Sequence, residues 1–402
     1  MDIINSSNDI PTIISLLKKY YSDENICAGA AKHGDLDVIK WARANNVEWN
    51  FTTTDNAARY GHLEVLKWTI SNGCVCQPNT ICNNAAYSNN LEILQWLVDN
   101  KRGSTNNICQ IAAHNGNLQM LQWAKESGFR FDEKVCKEAA RGGHIEILKW
   151  ARENNCPWNY RTCSSAAIGN HIEILKWARL NDCEWRADTC EYAAREGHFE
   201  LLQWAHENGC DWNFTVCSEA ASLGHFEILK WALSNGCPCN SNTMKNAIYR
   251  GHIKILEYAL DNNLPHNIDI CMHAASNGRF DMLQLLLNKF GDEPSVKDWN
   301  NKYLCAYAAG GGDLTILKWL IKNNYGVNNL VCMFAARFGH LDVLQWLRKH
   351  NYTWDDSVAI ESAYGGHLEV LQWAIANGCS YNKKDLYNYK KDVRQWIQDN
   401  IV

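Results

Sequence analysis

Apolar residues along this chain return at a fixed interval. In GHLEVLKWTISNGC, from Gly61, they fall one, three and four residues past His62 and a tryptophan falls at six: Leu63, Val65, Leu66 and Trp68. That spacing lays one apolar stripe along a helix of about ten residues. The phrase returns as GGHIEILKWARENNCPWN from Gly142 and as GHFEILKWALSNGCPC from Gly224. With the histidine as anchor, the copies stand at Asp35, His62, Asn90, Asn117, His144, His171, His198, His225, His252, Arg279, Asp313, His340 and His367. The step is 27 residues, except for one of 28 before Asn90 and one of 34 before Asp313.

Each copy has the same local logic. An acidic residue usually lies two past the anchor (Glu64, Glu146, Glu173), where it meets the positive helix N-terminus, and Lys or Gln often follows three residues later. Before the anchor runs a shorter helix with an Ala-Ala pair, such as Ala139-Ala140, small enough for neighbouring helices to approach closely. The residue just before the anchor is Gly in eleven copies and Asn in two, Asn89 and Asn170. Gly and Asn are the residues that most readily take the left-handed conformation ending a helix. Each unit therefore reads helix, tight turn, helix, then a loop such as CPWN.

A helix pair this short cannot bury its own apolar face, so the units must stack. The pattern predicts an all-α solenoid of about thirteen 27-residue units over 27–379, with caps at 1–26 and 380–402. The extra residues at 289–303, containing GDEP and Trp299, read as a surface loop or a hinge. The tryptophan six past the anchor, present in eleven copies, reads as a buried ring whose removal costs about 3–5 kcal/mol.

Composition removes several functional classes. A net charge of −5 argues against nucleic acid as a partner. No apolar run approaches the roughly 18 residues of a membrane helix. The N-terminal MDIINSSNDI lacks the basic start and apolar stretch of a signal peptide, so the expectation is a cytoplasmic protein that is not secreted.

Eighteen cysteines would ordinarily raise the question of disulfides or metal. Ten share one place in the first helix (Cys27, Cys82, Cys109, Cys136, Cys163, Cys190, Cys217, Cys271, Cys305, Cys332) and six a loop site twelve past the anchor (Cys74, Cys156, Cys183, Cys210, Cys237, Cys379). Only Cys76 and Cys239 remain, at a position held elsewhere by tryptophan. Equivalent residues of stacked helices lie about 8–10 Å apart, beyond the roughly 7 Å reach of a disulfide, so the cysteines read as small buried hydrophobes in a reducing compartment. No second pair stands at a zinc spacing from Cys74–Cys76 or Cys237–Cys239, and no metal site is expected. A cysteine eight residues before a histidine, as in Cys136 and His144, imitates a nucleophile and its base. Histidine at the anchor in eight copies argues for turn-stabilising histidines, and no catalytic residue, cofactor or small-molecule substrate is implied.

The stretch AAREGHFELLQWAHENGCDWN, from Ala193, resembles the ankyrin repeat: Ala-Ala, two variable residues, Gly-His, an apolar-acidic-apolar helix and an Asn-Gly turn. The LKWA and NGCPW phrasing resembles the multi-copy ankyrin-repeat proteins of giant DNA viruses of amoebae. The resemblance implies a protein-interaction scaffold; for a viral chain, it implies host proteins as partners in the host cytoplasm. Two departures stand out. The unit is 27 residues against the usual ~33, which shortens or removes the projecting β-hairpin finger, and the Thr-Pro-Leu-His opening is replaced by phrases such as Thr162-Cys163.

Recognition is expected where residues vary while the frame holds. Directly after Ala-Ala stand Lys32, Arg59, Tyr87, His114, Arg141 and Arg195, a basic and aromatic stripe placed on the concave face by the resemblance. The competing account of these residues is electrostatic, as cations complementing the negative end of the first helix. Two other functions fit a repeat array of this kind: a substrate-recruiting arm of a ubiquitin ligase, and nucleic-acid binding along the basic stripe.

Overall fold

A computed structural model describes residues 10–23, 25–103, 107–382 and 390–400. Among them are thirteen helix pairs flanked by one helix at each end, Ile10–Tyr21 and Lys391–Asn400, and no strand. The pair at Glu133–Gly142 and Ile145–Glu153 is typical. Five residues separate its second helix from the one-residue cap of the next first helix at Tyr160–Ile168, and a β-finger has no counterpart there. The chain divides into two compact units, Met1–Ala193 with Glu200–Asp211, and Ala194–Phe199 with Trp212–Val402.

Two left-handed joints define each repeat except that of Phe280–Phe290, whose second helix ends at a right-handed Gly291 (φ −61°). The predicted one, before the anchor, has positive φ in all eleven glycines and in Asn89 and Asn170. The other follows the second helix, where Asn155 (φ 60°) and Gly236 (φ 80°) are examples. The residue before this second joint is usually Asn, and its side-chain amide donates back to the carbonyl of the helix tryptophan. Asn72 reaches Trp68, Asn181 reaches Trp177 and Asn377 reaches Trp373, each at 2.8 Å. Those carbonyls are among the four that every helix leaves unpaired at its end. At the other end Asn50, Asn159 and Asn213 cap the following first helices, accepting from the backbone N–H of Thr52, Arg161 and Thr215 at 2.8–3.0 Å.

Within each unit the first helices pack on the first helices of adjacent repeats and on their own second helices. The Ala-Ala pairs make this possible; Ala139, Ala140, Ala220 and Ala221 are fully buried. From the second helix come the apolar residues three and four past the anchor, as Ile147 and Leu148. Glu64, Glu146 and Glu173 pair with Lys67, Lys149 and Lys176 at 2.8–2.9 Å, the same-face pairing that the spacing predicts.

The tryptophans are a correction. The ring six past the anchor is half-buried in every copy, not fully buried. Its partner is the aromatic fourteen past the preceding anchor, set edge-on at 5.5–6.0 Å in Trp49–Trp68, Phe131–Trp150, Trp158–Trp177, Trp185–Trp204, Trp212–Trp231 and Trp354–Trp373. An arginine covers the outer ring in several copies, with Arg43, Arg152, Arg179 and Arg348 lying 4.3–4.5 Å from the centroids of Trp49, Trp158, Trp185 and Trp354. Periodicity marks these rings as apolar, but it does not reveal that they form an outer ladder shielded by guanidinium.

Apart from a turn at 291–293, the residues 289–303 are helical, which corrects the expectation of a loop. They lengthen a second helix to Phe280–Phe290 and a first helix to Pro294–Gly310, with Pro294 at the helix start, where its missing N–H costs nothing.

All eighteen cysteines are free thiols, buried except for the half-exposed Cys76 and Cys239. Equivalent thiols are kept apart, but inequivalent ones of one repeat lie against each other, Cys163 by Cys183 and Cys217 by Cys237. Burial pushes isolated thiols up, to about 11 at Cys27 and about 12 at Cys305.

Candidate functional site

The stripe residues sit at the C-terminal ends of first helices, and their surroundings follow from the anchor histidine. Its Nε2 faces the backbone carbonyl of the residue thirty positions earlier, which is the stripe residue of the preceding repeat. His62 reaches Lys32 at 3.1 Å, His144 reaches His114 at 2.9 Å, His171 reaches Arg141 at 3.2 Å and His225 reaches Arg195 at 3.0 Å. A carbonyl only accepts, so Nε2 carries the proton. Arg279 makes the same reach to Tyr249 at 3.1 Å, and at the C-terminal end Lys390 donates to Gly365 at 3.1 Å.

The turn-stabilising histidine of the sequence thus caps the end of the neighbouring repeat's first helix. The same geometry adds a second reason for glycine before several anchors. A Cβ on Gly116 would lie 2.6 Å from the His144 ring, and one on Gly143 would lie 2.5 Å from His171. Asn replaces glycine at Asn89, where the next anchor is the small Asn117 and the two side chains hydrogen-bond at 3.3 Å.

All six predicted stripe residues are exposed. Lys32 lies 5.6 Å from the Tyr60 ring centroid. Arg59 is exposed on the next first helix. Tyr87, His114 and Arg141, from three successive first helices, line one depression of about 420 Å³ together with Asn107, Gln110, Ile111 and Glu138. Inside it His114 Nδ1 lies 3.4 Å from Glu138, which also meets Lys137 at 3.2 Å. Arg195 belongs to the second compact unit and pairs with Glu196 at 3.7 Å. So the structure groups three of the six around one depression and gives two of them carboxylate partners.

Sequence reasoning passed over Leu180, at 84% the most exposed large apolar side chain among the described residues. It borders a second depression of about 380 Å³ with Lys176, Arg179, Trp185, Trp204 and Asn208. The signal was present: nine residues past the anchor, five other copies carry Asp or Glu (Asp99, Glu126, Glu153, Glu207, Asp261).

The surface offers guanidinium, phenol, imidazole and amide groups at one face, which suits binding. Among the described residues no three His, Cys, Asp or Glu side chains gather as a metal would require. No described helix is long and apolar enough to cross a membrane.

Models of ankyrin repeats match residues 218–298, 271–357 and 304–385 in one form, and 54–98 and 82–124 in another. No curated protein matches. Among solved structures, the human ASB11 ankyrin repeat domain is 18% identical over 39% of this chain and 84% of its own, with a TM-score of 0.32. The pentatricopeptide repeat protein PPR10 in complex with an 18-nt psaJ RNA element is 12% identical over 98% of this chain and 73% of its own, at 0.34. PPR10 from maize is 12% identical over 95% and 68%, at 0.31. Family membership rests on the sequence matches, which together span more than half of the chain and coincide with the repeating helix pairs: the chain is an ankyrin-repeat protein.

Proposed function

We propose that this chain is a non-catalytic scaffold that binds a partner protein along the exposed ends of its first helices. Ankyrin repeats in general mediate protein–protein interaction. The observation that carries the reading is the capping of those ends. Because the next anchor already satisfies the carbonyl of Lys32, His114, Arg141 and Arg195, their side chains are not needed to complement it. What is left is a set of exposed cations and aromatics, the residue types that dominate binding hot spots.

The narrower reading, a virus-encoded chain engaging host proteins in the host cytoplasm, is supported by the LKWA and NGCPW phrasing alone. A ubiquitin-ligase arm and a nucleic-acid binder remain alternatives without an observation of their own, and the pairing of His114 with Glu138 and Arg195 with Glu196 weakens the second.

The test compares two baits in one lysate: the native chain, and a chain with Lys32, Arg59, Arg141 and Arg195 all changed to Glu and its helicity checked by circular dichroism. A protein held by the first bait and lost by the second supports the stripe. One held equally by both moves recognition to another face, and an empty native bait counts against the scaffold reading itself.

A further inference from the structure

The depression between Tyr87 and Arg141 has a more specific chemistry than the stripe as a whole. Among the described residues, the Arg141 guanidinium, the Tyr87 phenol and the Gln110 amide have no hydrogen-bond or ionic partner, while all three line the same hollow. The one carboxylate there, Glu138, is already answered by His114 and Lys137. The free charge is therefore positive, and it stands beside an aromatic side chain that is 61% exposed and above the side chain of Ile111, which is only 5% exposed. At about 420 Å³ the hollow falls at the lower end of ligand-pocket volumes, about 300–1,000 Å³.

We infer that this hollow receives an aspartate or glutamate side chain from an extended segment of a partner protein, an inference that rests on the protein-binding reading above. Arg141 supplies the charge-assisted hydrogen bonds to the carboxylate. Tyr87 covers the segment from the preceding repeat, and Ile111 floors the acidic residue's methylene carbons. Gln110 carries both a donor and an acceptor, the pair that a peptide group in an extended strand presents. A doubly charged phosphate fits less well, since one free guanidinium would face it with the Glu138 carboxylate lining the same hollow.

The experiment pans a displayed library of random peptides against the full chain, then measures fluorescein-labelled copies of the recovered peptides by anisotropy. Recovered peptides are expected to share an Asp or Glu, and replacing it by Asn or Gln weakens binding about tenfold, the scale of a charge-assisted hydrogen bond. Arg141→Gln produces a similar loss, and the two changes together cost little more than either alone, because they remove the same contact. Tyr87→Ala weakens binding, and Lys245→Gln in the other unit leaves it unchanged. Circular dichroism confirms that each variant is folded. Peptides indifferent to their acidic residue or to Arg141→Gln overturn the inference while leaving the scaffold reading intact. So does tighter binding of a phosphoserine copy. A library that yields nothing also overturns it, and the lysate capture then judges the scaffold reading alone.

Discussion

A histidine that caps its neighbour's helix couples two repeats through one hydrogen bond, and substitutions can isolate that bond. His144→Ala leaves the His114 carbonyl without its donor and is expected to cost about 1–2 kcal/mol in urea unfolding, with His144→Gln recovering part of it. Gly116 and Gly128 offer a matched comparison, with φ of 78° and 79°. Alanine at either pays about 1–2 kcal/mol for the left-handed conformation. At Gly128 nothing lies within 4 Å of the new Cβ, whereas at Gly116 it would meet the His144 ring at 2.6 Å. Gly116→Ala should therefore cost about 1–3 kcal/mol more than Gly128→Ala, and that excess should vanish when His144→Ala is added. Equal costs for the two glycines would sink the capping account. His367, the last anchor histidine, makes a pH prediction. Burial first, then the Lys390 charge, holds its imidazole below the ordinary range. The folded chain binds that proton less readily than the unfolded one, so this contribution is full above about pH 6.5 and is lost as pH falls through the folded value. His367→Gln should flatten the decline in melting temperature between about pH 7 and 5.

At the scale of the helix, the lengthened Pro294–Gly310 buries a whole side-chain amide. Asn300 lies on it, 1% exposed, with both side-chain polar atoms lacking an ordinary hydrogen bond among the described residues and the Cys271 thiol set against them. Asn300→Leu is expected to raise the unfolding free energy by about 1–2 kcal/mol, and a loss of stability would show that the Cys271 contact matters more than burial suggests. Helices and left-handed turns were legible in the sequence because both are local: the apolar period places Leu63, Val65 and Leu66, and Gly or Asn marks φ. Contacts made across repeats were not. The reach of His62 to Lys32, the edge-on stack of Trp158 and Trp177, and the meeting of Cys163 with Cys183 depend on how one unit sits against another, or how a loop returns to its own first helix. The stripe was legible as a place of variation. Its grouping of Tyr87, His114 and Arg141 around Gln110 and Ile111 was not, because Gln110 and Ile111 lie in a first helix, upstream of the stripe position.

For the whole molecule, the thiols give a test of how tightly the repeats close. Sixteen of the eighteen are buried, and only Cys76 and Cys239 stand half-exposed. Titration of the native chain with a chromogenic disulfide at about pH 8 should show two fast-reacting thiols, and eighteen after denaturation. A larger fast fraction would mean that repeats open on the timescale of the reaction.

Where an anchor histidine or Arg279 caps the preceding first helix, the cap is addressed to a backbone atom. Lysine, histidine, arginine, serine, tyrosine and glycine all stand at the receiving position, as Lys32, His114, Arg141, Ser222, Tyr249 and Gly310, and the donor reaches each of them at 2.9–3.2 Å. The joint between repeats is therefore blind to side-chain identity at the very residue that faces outward. Mutation can rewrite what this surface recognises, one copy at a time, without loosening the seam beneath it, so duplication of a repeat creates a new site for recognition to vary without a new problem of fit.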